Sequence, residues 1–127
     1  MEAELLEKIE TALEVRKIFL DNNLTLSNFA QSLNTNTTYL SKLMNNIYNK
    51  RFSVLINEYR VKEILMYFET NQLKELTIFA LAQKAGFSSK SAFNAAFKDY
   101  TGVTPSFYLK QTSISKHSKN GVSSLDL

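Results

Sequence analysis

Ten residues of this chain occur twice in different wording. Thr25-Leu26-Ser27-Asn28-Phe29-Ala30-Gln31-Ser32-Leu33-Asn34 runs in register with Thr77-Ile78-Phe79-Ala80-Leu81-Ala82-Gln83-Lys84-Ala85-Gly86. Apolar positions, the small Ala30 and Ala82, the glutamine pair and the turn residues Asn34 and Gly86 coincide. One extra residue then enters the second copy, after which Leu40 aligns with Phe93, Leu43 with Ala96 and Met44 with Phe97. Self-similarity of this kind means that one supersecondary unit is used twice, so the fold must accommodate both copies. Apolar residues recur at three and four positions, the helical period. Asn34 and Gly86 are residue types that tolerate a left-handed backbone, and each stands where two helices would part. The repeated unit is therefore helix, tight turn, helix.

The rest of the chain is also helical in pattern, with one proline (Pro105) and three glycines (Gly86, Gly102, Gly121) to interrupt it. Leu6, Ile9, Leu13 and Leu20, with Leu5, Ala12 and Phe19, predict a first helix ending near Asp21-Asn22-Asn23. Ser27 offers a cap for a second helix through Ser32, and a third follows Asn34-Thr35-Asn36 through Met44 with Tyr39, Leu40, Leu43 and Met44 inward. Ser53 stands at the start of a longer helix, to about Glu69, on which Leu55, Ile56, Tyr59, Ile64, Leu65 and Phe68 recur. At ~1.5 Å per residue such a helix spans roughly 25 Å and would act as a rigid spacer. Gly102 ends the helix through Tyr100, while Thr104 and Pro105 suit the start of a last short helix. The serine-rich stretch from Thr112 to Leu127 has the composition of a disordered tail. The expectation is an all-α fold of about seven helices: helix-turn-helix subdomains at about 25–45 and 77–100, a linker helix at 52–69, a final helix at 105–111 and a tail at 112–127.

With 127 residues, 44% of them hydrophobic, the chain can bury one core of ordinary size but not two independent domains. It has no cysteine, which removes disulfides and thiolate metal sites and suits a reducing compartment, the cytoplasm. No apolar run approaches the roughly 20 residues of a membrane span, and Met1-Glu2-Ala3-Glu4 lacks the basic start of a signal peptide. Charge is unevenly divided: residues 1 to 25 hold six acids (Glu2, Glu4, Glu7, Glu10, Glu14, Asp21) against three bases, and the remainder holds twelve bases against six acids. That positive field favours a polyanionic partner. His117, the one histidine, falls in the expected tail without cysteines or a neighbouring base. No glycine-rich phosphate loop and no nucleophile–base pair is present, so neither a cofactor, nor a metal, nor enzymatic activity is expected.

From Thr77 to Lys110 the sequence resembles the second helix-turn-helix and final helix of the AraC/XylS family of bacterial transcription regulators. The residues that carry this are Leu81-Ala82, Gly86-Phe87, Ser91, Phe93, Phe97-Lys98, Gly102, Thr104-Pro105 and Tyr108. The likeness extends back to about Leu20. The first unit, with Leu24-Thr25-Leu26, Leu33-Asn34-Thr35-Asn36, Tyr39-Leu40-Ser41 and Phe52 to Asn57, is similar to versions fused to large sensor proteins in Bacteroidetes-type bacteria. The resemblance implies double-stranded DNA as partner, a sensor domain or the transcription machinery as further partners, and either an excised domain or a stand-alone relative. Ala95 and Leu109 depart from the family pattern, each standing where many members carry arginine.

Reading DNA from a helix in the major groove requires amides for adenine, basic groups for guanine, hydroxyls for either and methyls for thymine. With Leu40, Leu43 and Met44 inward, the outer face of the first recognition helix is Thr37, Thr38, Ser41, Lys42 and Asn45. With Phe93, Ala96 and Phe97 inward, that of the second is Ser89, Lys90, Ser91, Asn94 and Lys98. Thr38, Ser41, Lys42, Lys90, Ser91 and Asn94 are the candidates for base edges; Asn45, Lys50, Arg51 and Lys98 are those for phosphates. The competing reading is a helical interaction or adapter module that keeps the fold with weak or no specific DNA binding, in keeping with the modest charge and with Ala95 and Leu109.

Overall fold

The first helix does not run to Asp21. In the computed structural model, which describes residues 2–70, 72 and 76–112, α1 (Glu2–Glu10) widens into a π-helical turn at Thr11–Val15 and stops at Lys17, whose φ of 50° is left-handed. A short 3₁₀ segment, Ile18–Leu20, follows. The buried stripe supplies the reason. Leu5, Ile9, Ala12 and Leu13 lie inward, and the next positions at helical spacing from Leu13 are Arg16 and Lys17. Continuing the helix would bury two cations; breaking it swings in Phe19, which is buried and stacks on Tyr59 with ring centroids 5.4 Å apart. Lys17 instead reaches Glu63, its Nζ donating to Oε1 at 3.1 Å. The hydroxyl of Tyr59 donates to Glu14 and so fastens the π-helical turn.

The first repeat is α2 (Leu26–Ser32) and α3 (Thr37–Tyr48). Its cap is Thr25, not Ser27: the Thr25 hydroxyl accepts from the Asn28 amide at 3.0 Å and the Asn28 side chain accepts from the Thr25 amide at 2.9 Å. That reciprocal pair satisfies two free donors at once, whereas Ser27 sits inside the first turn. Asn34 is left-handed at φ 58°, and Asn36 caps α3 by accepting from Tyr39 at 2.8 Å. Leu40, Leu43 and Met44 are buried, but Tyr39 lies on the flank of that stripe and is 41% exposed. The second repeat is α5 (Ile78–Lys84), capped by Thr77, and α6 (Lys90–Thr101), capped by Ser89, with Gly86 at φ 112° between them. Gly102 ends α6 in the left-handed region, and Thr104 caps α7 (105–112) through the Phe107 amide. The described residues thus form seven helices and no strand. Residues 113–127, expected as a disordered tail and including His117, lie outside those described.

Between the repeats runs α4 (Phe52–Glu69). Its buried residues fall into two sets. Leu55 and Ile56, with Phe52 and Tyr59 partly buried beside them, join α1 to α3 in one cluster. Val61, Ile64, Tyr67 and Phe68, with Leu65 partly buried beside them, join α5, α6 and the Tyr108 and Leu109 of α7 in another. At 3.6 residues per turn, the centre of Phe52, Leu55, Ile56 and Tyr59 and that of Val61, Ile64, Leu65, Tyr67 and Phe68 are about 160° apart around the helix. The one core anticipated from composition is therefore two cores, seated on nearly opposite faces of one helix. In the second, Phe97 is fully buried, with Phe93, Phe68 and Tyr108 at 5.9, 6.2 and 5.6 Å.

Two turns lend themselves to measurement. A Cβ added at Gly86 would lie 2.3 Å from the Phe19 carbonyl oxygen and 2.6 Å from Arg60 Nε, whereas at Gly102 it would meet nothing within 4 Å. Gly102→Ala should cost about 1 kcal/mol for the left-handed backbone alone, and Gly86→Ala should exceed it by at least ~1–2 kcal/mol through the added clash; urea unfolding of both variants gives the order. Removing the caps of the second helices, Asn36→Ala and Ser89→Ala, should lower stability by about 1 kcal/mol each, measured in the same way.

Candidate nucleic-acid interface

Both second helices present an outward stripe at matching register. The repeat alignment pairs Thr38 with Ser91, Ser41 with Asn94, Lys42 with Ala95 and Asn45 with Lys98. On α3, Thr38, Lys42 and Asn45 follow one another at four and three positions, on the side opposite Leu40, Leu43 and Met44, and all three are exposed. On α6 the corresponding row is Ser91, Ala95 and Lys98, opposite Phe93, Ala96 and Phe97 and likewise exposed. Among the described residues, none of the polar side chains in these two rows has a hydrogen-bond or ion-pair partner.

The remaining candidates are placed less uniformly. Ser41 is half-buried, on the edge of the α3 stripe. Asn94 and Lys90 are exposed but lie toward the flank of α6, and the Lys90 ammonium sits over the Phe79 ring of α5 at 5.6 Å from its centroid. That contact holds the charge near the start of α6. Lys50 and Arg51 are exposed in the turn before α4, but they differ: Lys50 Nζ donates to Glu58 at 2.6 Å, and Arg51 is the residue preceding the helix, with no side-chain cap bond. Part of the Lys50 charge is thus already compensated, a link of eight residues that helical periodicity does not reveal.

The geometry constrains the chemistry available. Hydroxyl, amide and ammonium groups on a capped, exposed helix can donate and accept toward base edges and phosphates without first breaking internal bonds. Among the described residues no group of three His, Asp or Glu side chains could hold a metal ion, and no helix is long and apolar enough to cross a membrane. One residue that patterning did not single out is Arg60 on α4. Its Nε donates to the Phe19 carbonyl at 2.7 Å and its Nη2 to the Asp21 carbonyl at 3.0 Å. A cation at the midpoint of a helix otherwise read as spacer gives no periodic signal; only the fold brings its acceptors to it.

Comparison with known proteins agrees with this architecture. A family described as a helix-turn-helix domain matches residues 29–111. The Msm operon regulatory protein of Streptococcus mutans is 30% identical over 101 residues, covering 77% of this chain and 35% of that protein, so the chain spans about a third of that relative. The C-terminal domain of AraT, a response regulator from Geobacillus stearothermophilus, superposes with a TM-score of 0.70 at 25% identity, over 87% of this chain and 84% of that one. A protein of unknown function from Listeria innocua superposes with a TM-score of 0.71, also at 25% identity, over 83% and 94% of the two chains. The two capped helix-turn-helix units, the shared linker helix and these matches together place the chain in the AraC-type helix-turn-helix family of DNA-binding domains.

Proposed function

We propose that the chain binds duplex DNA sequence-specifically by laying α3 and α6 in two neighbouring major-groove segments, about one helical turn or roughly 34 Å apart. The observation that carries this reading is the pair of exposed polar stripes at the same repeat register, each on the side of its helix opposite the core. In it, Thr38, Ser41, Lys42, Lys90, Ser91 and Asn94 approach base edges, while Asn45, Lys50, Arg51 and Lys98 approach phosphates. Arg51 is the stronger of the two turn cations for that role, since Glu58 competes for Lys50. Ala95 stands where the first unit has Lys42; a methyl there suits a thymine methyl rather than guanine, which makes the two blocks of the site unequal.

The DNA-binding unit in this reading is residues 1–111. It acts by binding rather than by catalysis, in the compartment that holds the chromosome, as an excised output domain or a stand-alone relative, with a sensor domain or the transcription machinery as the further partner. A fusion to a sensor protein of the Bacteroidetes type fits the wording of the first unit.

Selection of bound duplexes from a random pool at two salt concentrations tests the proposal. The expected result is two short blocks one turn apart; retention without a motif, vanishing at higher salt, overturns it in favour of an adapter. On the selected duplex, the double variant Lys42→Ala, Lys90→Ala should bind about 30-fold more weakly, at roughly 1 kcal/mol per lost contact, with an unchanged far-ultraviolet circular dichroism spectrum. Lys98→Ala should leave the motif intact and reduce the slope of log affinity against log salt by about 0.9, as loss of one phosphate contact requires.

A further inference from the structure

Arg60 stands at the point on α4 where the buried stripe changes face, between Tyr59, which belongs to the first core, and Val61, which belongs to the second. Its side chain touches both units. Toward the first, it donates to the carbonyls of Phe19 and Asp21, at the end of the 3₁₀ segment. Carbonyls at such an end have no partner in the helix and attract a cation. Toward the second, its guanidinium lies 5.7 Å from the centroid of Phe87, the residue after the Gly86 turn. Phe87 is buried and packs on Phe93 of α6 at 5.6 Å. Gly86 is pressed against the same place, since a Cβ there would meet both the Phe19 carbonyl and Arg60 Nε.

Another tie is the Lys17–Glu63 pair, in which the ammonium reaches both carboxylate oxygens at 3.1 and 3.4 Å, but Lys17 keeps 39% of its side chain exposed and an ammonium on a flexible stem tolerates rotation. Arg60 is different in kind. Its acceptors are backbone atoms of the first unit, which cannot move without moving the chain; a planar fork that meets two carbonyls with two nitrogens fixes the guanidinium in direction as well as distance, and Phe87 and Gly86 of the second unit rest against that fixed group. Apolar burial on α4 holds each unit to its own end of the helix, yet being non-directional it leaves the angle between them soft.

We propose that Arg60 is a positioning residue that locks the second helix-turn-helix unit against the first, so that the chain accepts one separation of the two DNA blocks and rejects its neighbours. The DNA part of this inference rests on the reading in the preceding subsection; the mechanical part does not. One added base pair turns the second block by about 34° and shifts it about 3.4 Å, a change that a locked pair of helices cannot follow.

Because the sequence has no cysteine, spin labels can be placed at will, and Asn46→Cys with Asp99→Cys puts one on each recognition helix at an exposed position. Pulsed electron–electron double resonance on the free 127-residue chain should give a narrow label-to-label distance distribution, which broadens in Arg60→Gln and is partly restored in Arg60→Lys. Binding assays on the unlabelled chain then use the selected duplex with its spacing altered by one base pair in either direction. The parent should lose about tenfold in affinity, the order expected when the base contacts of one block are disturbed, and Arg60→Gln should lose much less, while both proteins bind a duplex carrying one block equally. A distance distribution that is already broad in the parent, or one that is the same in all three proteins, overturns the lock. So does loss of helicity in both Arg60 variants, which would make the residue a support of the whole fold rather than of one angle. If the distances behave as expected and no motif is selected, the lock stands and the DNA reading falls.

Discussion

Helix α4 has to satisfy two cores with one cylinder. Phe52, Leu55, Ile56 and Tyr59 serve the first unit and Val61, Ile64 and Phe68 the second, on nearly opposite sides. Each end of the helix can therefore hold only one unit. The crossover between the two stripes has no apolar claim on it and is occupied by polar groups with distant partners, Arg60 and then Glu63. Burial of apolar area supplies the attraction that keeps each unit in place. Direction comes from hydrogen bonds to fixed backbone atoms, and at the crossover Arg60 makes two of them, to the carbonyls of Phe19 and Asp21, 41 and 39 residues away.

The breaks in the chain have two different origins. Thr25, Asn36, Thr77 and Ser89 each satisfy an otherwise free amide at a helix start, and Asn34, Asn49, Gly86 and Gly102 take the left-handed backbone that lets the chain turn. These are local choices made by side chains within a few residues of the turn. Lys17 is not of that kind. It is left-handed without being asparagine or glycine, and what drives it there is the cost of burying Arg16 and Lys17 along the stripe that Leu5, Ile9 and Leu13 begin. The result is the 3₁₀ segment whose carbonyls Arg60 uses.

The candidate DNA-facing surface was legible to the extent that a helix exposes the side opposite its core. Thr38, Lys42 and Asn45 follow directly from the inward positions of Leu40, Leu43 and Met44. The pattern failed where a side chain lay on a flank or found a partner elsewhere. Tyr39 was expected inward and is exposed, Ser41 is only half-exposed, and Lys50 is held by Glu58. Ala95 was legible too, since the register of the repeat sets it where Lys42 stands on α3, and the structure adds that both positions are exposed.

By itself the sequence determined that the chain is helical, that one helix-turn-helix unit is used twice, and where the turns between paired helices fall. Those features depend on a period of 3.6 residues and on caps that act over three or four positions, and such signals are written within short windows. Only the tertiary structure decided that there are two cores rather than one, that α1 breaks at Lys17, and that Arg60 stands between the units. Arg60 and Phe19 are 41 residues apart and Lys17 and Glu63 are 46 apart. A contact across that distance leaves no periodic trace along the chain, because it exists only after both cores have closed on α4.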